Sequence, residues 1–124
     1  MEPLLIEPTH NSPKIILDQA NNKFEISGRS LPENIVVFYN PIREWLNIYA
    51  KNPNPETNFE IKLTYYNSAT FKVLSGIFQT LSKIYNEGFE VTIYWYHEKE
   101  DTEFKEEVDY LFEMVDVPFK YVSY

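Results

Sequence analysis

The chain has 124 residues, of which 44% are hydrophobic, and it carries a net charge of −8 and no cysteine. This length lies within the commonest domain size, so we predict one domain over residues 1–124. The 11 Lys and Arg are scattered singly, which excludes the basic stripe that would hold nucleic acid or an anionic membrane surface. Without cysteine there is no disulfide, thiolate chemistry or cysteine-based zinc site. No signal-peptide pattern or window of ~18 apolar residues is present, so we expect a soluble, cytoplasmic protein.

The N-terminal part of the chain predicts an extended segment followed by a β-hairpin. Three prolines fall within residues 1–13 and favour an extended lead-in. The runs KIILD and KFEISG are separated by the turn-forming residues QANN, which predicts strands near 14–18 and 23–28.

The first helix is predicted from a capping signal and an apolar stripe. Ser30 precedes Glu33 by three residues, the spacing of a capping box, so a helix is expected to begin at Ser30. Pro41 would kink this helix or restart it with Asn40 as a new cap. Apolar residues then follow helical spacing until the segment NPNPET ends the helix: Ile42, Trp45, Leu46 and Tyr49.

The second half of the chain alternates strand and helix patterns. Residues 59–66 alternate in polarity, with the apolar set on one face: Phe59, Ile61, Leu63 and Tyr65. After NSAT a helical stripe runs from Phe71 to Tyr85 and stops at Gly88. A central strand over 89–96, a third amphipathic helix over 104–115 and a last strand FKYVSY follow. The fold class is therefore α/β, with a mixed sheet of about five strands, three main helices, the order ββαβαβαβ and right-handed parallel crossovers.

Two loops of this fold are expected at the carboxyl ends of the parallel strands, where function collects in open α/β sheets. The first runs from Asn67 to Thr70, and its side chains are good helix N-caps, so a plain cap is the simplest explanation. A helix N-terminus also tolerates an added phosphate. The alternative is therefore that Ser68 is a phosphorylation site, with Lys72 four residues on and able to reach the phosphate.

The second loop, HEKED at residues 97–101, opens an acidic stretch: Glu98, Glu100, Asp101, Glu103, Glu106, Glu107 and Asp109. Such a stretch is most often the solvated start of a helix, less often a magnesium site, and least often an acid/base pair. The two histidines, His10 and His97, share no partner that would indicate a triad or a metal cluster. With no glycine-rich phosphate loop near residue 68, no nucleotide cofactor is predicted.

Four segments resemble the SiaC-like regulatory phosphoproteins, a family with a fold like that of STAS domains and anti-anti-sigma factors: SLPENIVVFYNPIREWLNIY, KLTYYNSATFKVL, EVTIYWYHEKEDTEFKEEVDY and VPF. The resemblance runs from about Gly28 to Phe119 and depends on these segments as an ordered set. It implies a single STAS-like regulatory domain that is not an enzyme.

The resemblance also implies a partner-switching pathway. The hydroxyl acceptor after the third predicted strand falls on Ser68, with Thr70 as the alternative and Asn67 and Lys72 as supporting residues. A serine/threonine kinase of the histidine-kinase-like ATPase type would phosphorylate it, and a PP2C-type phosphatase would reverse this. The unphosphorylated form would bind and activate a diguanylate cyclase, so the output would be cyclic-di-GMP. The family's acidic loop corresponds to a possible partner or metal loop in this chain: His97, Glu98, Glu100 and Asp101.

Two other functions stay open. One is a small magnesium-dependent enzyme that uses the acidic loop at residues 98–103, which magnesium binding would favour. The other is a purely structural interaction domain, in which NSAT is only a helix cap and Ser68→Ala leaves signalling intact.

Overall fold

A computed structural model describes the whole chain, Met1–Tyr124, as one mixed sheet with three helices. The strands lie in the sheet in chain order: β1 (Leu4–Ile6), β2 (Lys14–Asp18), β3 (Lys23–Ser30), β4 (Glu56–Tyr66), β5 (Glu90–His97) and β6 (Phe119–Ser123). The helices are α1 (Ile35–Tyr49), α2 (Ser68–Asn86) and α3 (Lys105–Glu113). The α/β class, the three helices and the helix–strand alternation are confirmed. The sheet has six strands, because the predicted lead-in contributes β1, which pairs antiparallel with β2.

All three helices cover the same face of the sheet. Strands β3 to β6 are mutually parallel, and each consecutive pair is joined through one helix. Because parallel crossovers are right-handed and the strands advance in one direction, the helices collect on one side. The core fills the space between the sheet and the helices, with large side chains from both layers: Phe24, Phe59, Ile61, Ile93 and Trp95 from the sheet and Leu46, Phe78 and Phe112 from the helices.

The opposite face of the sheet has no helix over it and carries a charge quartet, defined as Lys23, Glu25, Glu60 and Lys62. The ammonium groups of Lys23 and Lys62 lie 3.1 and 3.0 Å from the Glu60 carboxylate, and each lies 3.5 Å from that of Glu25. Burial acts to raise the pKa of Glu25 and Glu60, but hydrogen bonds and the two ammonium charges outweigh it, so both pKa values lie below the ordinary value. The carboxylates therefore stay ionised at neutral pH.

Helix α1 begins later than the capping box predicted. Asn34 is its N-cap, since the Asn34 Oδ1 accepts a hydrogen bond from the backbone N–H of Val37 at 3.2 Å. Ser30 is instead the last residue of β3 and is fully buried. The prediction of a cap at Ser30 is wrong because β3 continues in register with β4 up to that residue.

Helix α1 is continuous through Pro41, so the predicted restart at Asn40 is also wrong. Proline removes one N–H donor and leaves the carbonyl four residues earlier, that of Val37, without its helical partner. Val37 is 64% exposed, which places this part of the helix beside water. The buried stripe continues on both sides of Pro41 and holds the helix on the sheet: Tyr39, Ile42, Trp45, Leu46 and Tyr49.

A β-bulge changes which tyrosine of β4 faces the core. The register between β3 and β4 shifts after Gly28, whose φ is +105°, and Thr64 is the extra residue. Tyr65 is consequently 53% exposed, and Tyr66 turns towards the helix layer, where its ring centroid lies 5.8 Å from that of Trp95. The expected alternation holds from residue 57 to residue 63, and its extension to Tyr65 on the covered face is wrong.

Helix α2 follows the predicted pattern, and Gly88 with φ +104° lies just beyond its C-cap Glu87, as expected of a helix terminator. Tyr85 is 38% exposed, so the buried stripe ends before it. No helix in the chain combines the length and the apolar composition that crossing a bilayer would take.

Candidate functional site

The two predicted loops lie at the same edge of the sheet, where the parallel strands end. Ser30 and Tyr66 are register partners in the last rung between β3 and β4, so the turns that lead into α1 and α2 are neighbours. The segment after β5, residues 98–104, leaves from this edge as well. The edge therefore brings together two helix N-termini and one acidic loop.

The first turn of α2 separates its two hydroxyl residues by exposure. Asn67 is the N-cap, and its Oδ1 accepts a hydrogen bond from the Thr70 N–H at 3.1 Å. Ser68 is the first helical residue and is exposed, whereas Thr70 is fully buried. Of the two candidate acceptors, only Ser68 has a hydroxyl that faces solvent.

The Thr70 hydroxyl belongs to a buried hydroxyl chain, defined as Thr70, Ser30 and Tyr39. Thr70 Oγ1 lies 3.1 Å from the Ser30 carbonyl oxygen, to which it donates, and 3.0 Å from Ser30 Oγ, which lies 2.7 Å from the Tyr39 hydroxyl. Burial raises the pKa of Tyr39 to about 12, against the opposing effect of its bond to Ser30. This hydroxyl chain links β3, α1 and α2, and it could not be predicted from the sequence because Ser30 has the spacing of a capping residue.

Ser68 and Lys72 both line a groove of about 920 Å³ between α2 and α3. Lys72 is exposed, lies one helical turn after Ser68 and forms no ion pair. The other lining residues are Phe71 and Ser75 from α2, and Glu106, Glu107, Asp109, Tyr110, Leu111, Glu113 and Met114 from the α3 side. The sequence pointed to Ser68, Lys72 and the glutamates separately, but not to the groove that they share.

Two side chains of the acidic loop, His97 and Asp101, make local contacts. The His97 ring stacks on Phe104 with centroids 4.5 Å apart, and His97 Nδ1 lies 2.8 Å from the Glu98 carbonyl oxygen. Asp101 Oδ1 accepts a hydrogen bond from the Glu103 N–H at 3.2 Å, just before α3. No three His, Asp or Glu side chains of the chain meet in an arrangement that could share a metal ion. His97 and Asp101 therefore serve the local structure of the loop.

The loop nevertheless lies close to the α2 N-terminus. Glu98 and Asp101 line a small cavity of about 130 Å³ together with Tyr66, the residue before the N-cap, whereas Glu100 is exposed and outside it. Burial raises the pKa of Tyr66 to about 12, and the carboxylates of Glu107 and Asp101 add to this. Tyr66 thus lies close to carboxylates of both the acidic loop and α3.

Three exposed apolar side chains lie near this edge, Val36 and Val37 in the first turn of α1 and Tyr65 near the end of β4, and are together called the edge patch. They are 59%, 64% and 53% exposed. The Arg29 guanidinium lies 5.2 Å from the centre of the Tyr65 ring, a cation–π contact. Exposed apolar side chains of this kind are candidates for contact with a partner protein.

Fold and site together define a one-sheet α/β domain that presents an exposed serine at a helix N-terminus, between an apolar patch and an acidic groove. The model of the SiaC family of regulatory phosphoproteins matches residues 6–124. The chain belongs to this family.

Solved structures share the fold at low sequence identity. The crystal structure of apo-SiaC from Pseudomonas aeruginosa has a TM-score of 0.89 and 21% identity, covering 99% of this chain and 100% of that one. The chain also matches the crystal structure of the diguanylate cyclase SiaD in complex with its activator SiaC, from the same organism, with a TM-score of 0.89, 20% identity and coverage of 98% and 99%. An uncharacterized protein of P. aeruginosa strain UCBPP-PA14 is 22% identical over 119 residues, which is 96% of this chain and 94% of the relative.

Proposed function

We propose that this chain is a non-enzymatic regulator that binds partner proteins under the control of phosphorylation at Ser68. The observation that carries the proposal is the exposed hydroxyl of Ser68 at the first residue of α2, in a member of a phosphoprotein family. Phosphoryl transfer requires the acceptor oxygen to reach the γ-phosphate in line. The Thr70 hydroxyl is buried and hydrogen-bonded, so the first turn of α2 would have to open before a kinase could use it.

The residues around Ser68 suit the product of this reaction. The free N–H groups and the positive end of the α2 dipole favour a phosphate at the first helical position. Lys72, four residues on and without an ion pair, can reach that phosphate. Asn67 has a different role, because it holds the first turn together as the N-cap.

The proposed partners are a serine/threonine kinase of the histidine-kinase-like ATPase type, a PP2C-type phosphatase and a diguanylate cyclase. The complex of P. aeruginosa SiaC with its cyclase supports the last of these. We infer that the cyclase contacts the edge patch and binds the unphosphorylated form, since a dianion at the margin of an apolar contact has to be desolvated. Such a system would operate in the cytoplasm, with residues 1–124 as one regulatory domain.

Phosphosite mapping tests the assignment. The chain is incubated with its kinase and ATP, and intact mass and phosphopeptides are measured for the wild type, Ser68→Ala and Thr70→Val. We expect one phosphate on Ser68, none on Ser68→Ala and unchanged incorporation on Thr70→Val. Phosphate found only at other residues would contradict the assignment of Ser68.

A binding measurement tests the role of the charge. Ser68→Asp is expected to weaken cyclase binding by about tenfold or more, since desolvating a charge in an apolar contact costs at least about 1.4 kcal/mol. Gln79→Glu is the control, because Gln79 is exposed three turns further along α2 and receives the same charge. Equal affinity of Ser68→Asp and the wild type would refute charge as the signal. If Ser68→Ala then leaves signalling intact, the domain is only structural.

A further inference from the structure

The groove beside Ser68 lies between the first two turns of α2 and the exposed side of α3. Their C-terminal parts are in contact, with the rings of Phe78 and Phe112 stacked 5.1 Å apart. Asn86 Nδ2 donates to Asp116 Oδ2 at 3.0 Å just beyond them. No comparable bond joins the first turns, and the space between them is the groove of about 920 Å³.

Two helical stripes face each other across this space. The α2 stripe has the i, i+3, i+4, i+7 spacing of one helix face, and the α3 stripe continues across its exposed side: Ser68, Phe71, Lys72 and Ser75, then Glu106, Glu107, Tyr110, Glu113 and Met114. A pair of parallel ridges with a concave floor between them is the shape that accepts an amphipathic helix.

The groove is apolar within and acidic at its rim. Tyr110 of α3 and Met114, the C-cap of α3, are 66% and 58% exposed, although the other apolar residues of α3 are buried. The rim carboxylates of Glu106, Glu107 and Glu113 are exposed and form no ion pair. Lys72 is the one cation in the lining. An occupant must therefore combine apolar side chains with positive charge.

We propose that the groove binds a basic amphipathic helix of a partner protein. The apolar side of that helix packs on Tyr110 and Met114, and its Lys and Arg side chains pair with the rim carboxylates. A second copy of this chain fits poorly, because it carries a net charge of −8 and its one helix without acidic residues, α2, has only two lysines and already buries its apolar side in its own core.

Phosphorylation would strengthen this interaction, a step that rests on the proposed function. A phosphate on Ser68 adds about −1.5 to −2 charges at one end of the groove. Its pairing with Lys72 would at the same time remove the one positive charge that repels a basic helix. The same modification that disfavours an apolar contact at the edge patch would thus favour a basic partner in the groove.

The test uses a fluorescent helical peptide of about 14 residues, or four turns, with Leu at i, i+3, i+4 and i+7 spacing and Lys elsewhere. A matched peptide carries Glu in place of Lys. The full chain is titrated into each, and backbone amide shifts are followed by NMR. We expect binding of the Lys peptide only, with the shifted amides confined to the facing turns of α2 and α3.

Charge variants distinguish binding of the Lys peptide in the groove from its general attraction to an acidic protein. Glu106→Gln with Glu107→Gln should weaken binding about tenfold, whereas Glu44→Gln with Glu90→Gln, which removes the same charge from exposed positions elsewhere, should change it less than twofold. A similar loss in both pairs would overturn the proposal.

An apolar pair of variants tests the floor of the groove. Met114→Ala should weaken binding of the Lys peptide several-fold. Ile48→Ala is the control and should leave binding unchanged, because Ile48 lies on α1 and is exposed to a similar extent, 56% against 58% for Met114. Shifted amides outside the groove, or self-association of the chain through the groove, would refute the assigned occupant.

The phosphate step has its own readout. Ser68→Asp is expected to bind the Lys peptide about two- to fivefold more tightly than the wild type, as an added charge close to a basic ligand should. Unchanged or weaker binding would refute this step. Because the wild-type titration needs no kinase, failure of the peptide to bind is distinguishable from failure of Ser68 to be phosphorylated.

Discussion

Ser30→Ala should destabilise the protein through a group that it leaves behind. In the wild type the Tyr39 hydroxyl has one partner, Ser30 Oγ at 2.7 Å, and Tyr39 is 0% exposed. Removing Ser30 Oγ leaves a buried hydroxyl without a hydrogen bond, which costs about 1–3 kcal/mol. Thr70 loses less, because its hydroxyl still donates to the Ser30 carbonyl oxygen. We therefore expect the free energy of unfolding to fall by about 2 kcal/mol.

Tyr39→Phe provides the other half of a double-mutant cycle. Alone it should cost about 1 kcal/mol, because Ser30 Oγ keeps its contact with Thr70. Added to Ser30→Ala it removes the orphaned hydroxyl, so the double variant should be more stable than Ser30→Ala by about 1 kcal/mol. Such a recovery is specific to an unsatisfied group, since independent losses would add.

Urea denaturation followed by tryptophan fluorescence measures these differences, because Trp45 and Trp95 are both buried. The midpoint should move while the slope m stays constant. Ser123→Ala, at an exposed serine of β6, is the control and should change stability by less than about 0.5 kcal/mol. Additive costs in the double variant, or a change at Ser30 as small as that of the control, would refute the buried hydroxyl chain.

Three further changes test other parts of the fold. In the folded protein the pKa values of Glu25 and Glu60 lie below the ordinary value of 4.5. Their ionisation therefore stabilises the fold above pH 4.5, and this stabilisation is lost as the pH falls through the pKa values of the folded state. The double variant Glu25→Gln with Glu60→Gln should therefore lose about 1 kcal/mol of stability at pH 7, a value reduced because the two lysines are partly exposed. In urea titrations its stability should also decrease less than that of the wild type as the pH is lowered below about 5. Gly76→Ala should stabilise α2 by about 0.5–1 kcal/mol in thermal melts, because alanine favours helix and the new methyl would lie 3.1 Å from the exposed, movable Arg43 guanidinium. Asn67→Ala should cost about 1 kcal/mol through loss of the cap, with faster amide hydrogen exchange in the first turn of α2.

Each change has a control or a contradicting result. Glu90→Gln removes an exposed carboxylate without a partner, so an equal flattening of its pH profile would count against the quartet. A lower melting temperature for Gly76→Ala would mean that Arg43 cannot move. Unchanged exchange in Asn67→Ala would show that the hydroxyl chain alone fixes the turn.

Local patterns determined most of the architecture from the sequence. Single strands and helices could be predicted because their period and their ends depend on nearby residues. Examples are the alternation from Phe59 to Leu63, the apolar stripes of the helices and the helix end at Gly88. The right-handed rule then predicted the hand of the connections between the parallel strands. A helix cap within residues 67–70 could likewise be predicted, because a cap bonds within its own first turn, and the structure places it at Asn67.

The tertiary structure decided the features that depend on partners distant in sequence. Ser30 has a capping spacing, yet it is buried because it meets Thr70, forty residues away. One extra residue in β4 exposed Tyr65 and turned the half-buried Tyr66 towards the helix layer, since a side-chain period of two is reversed by an insertion of one. The difference in exposure between Ser68 and Thr70 has the same origin. Two hydroxyls two positions apart look alike in the sequence, and only the packing of α2 on β3 and α1 leaves one in water and encloses the other.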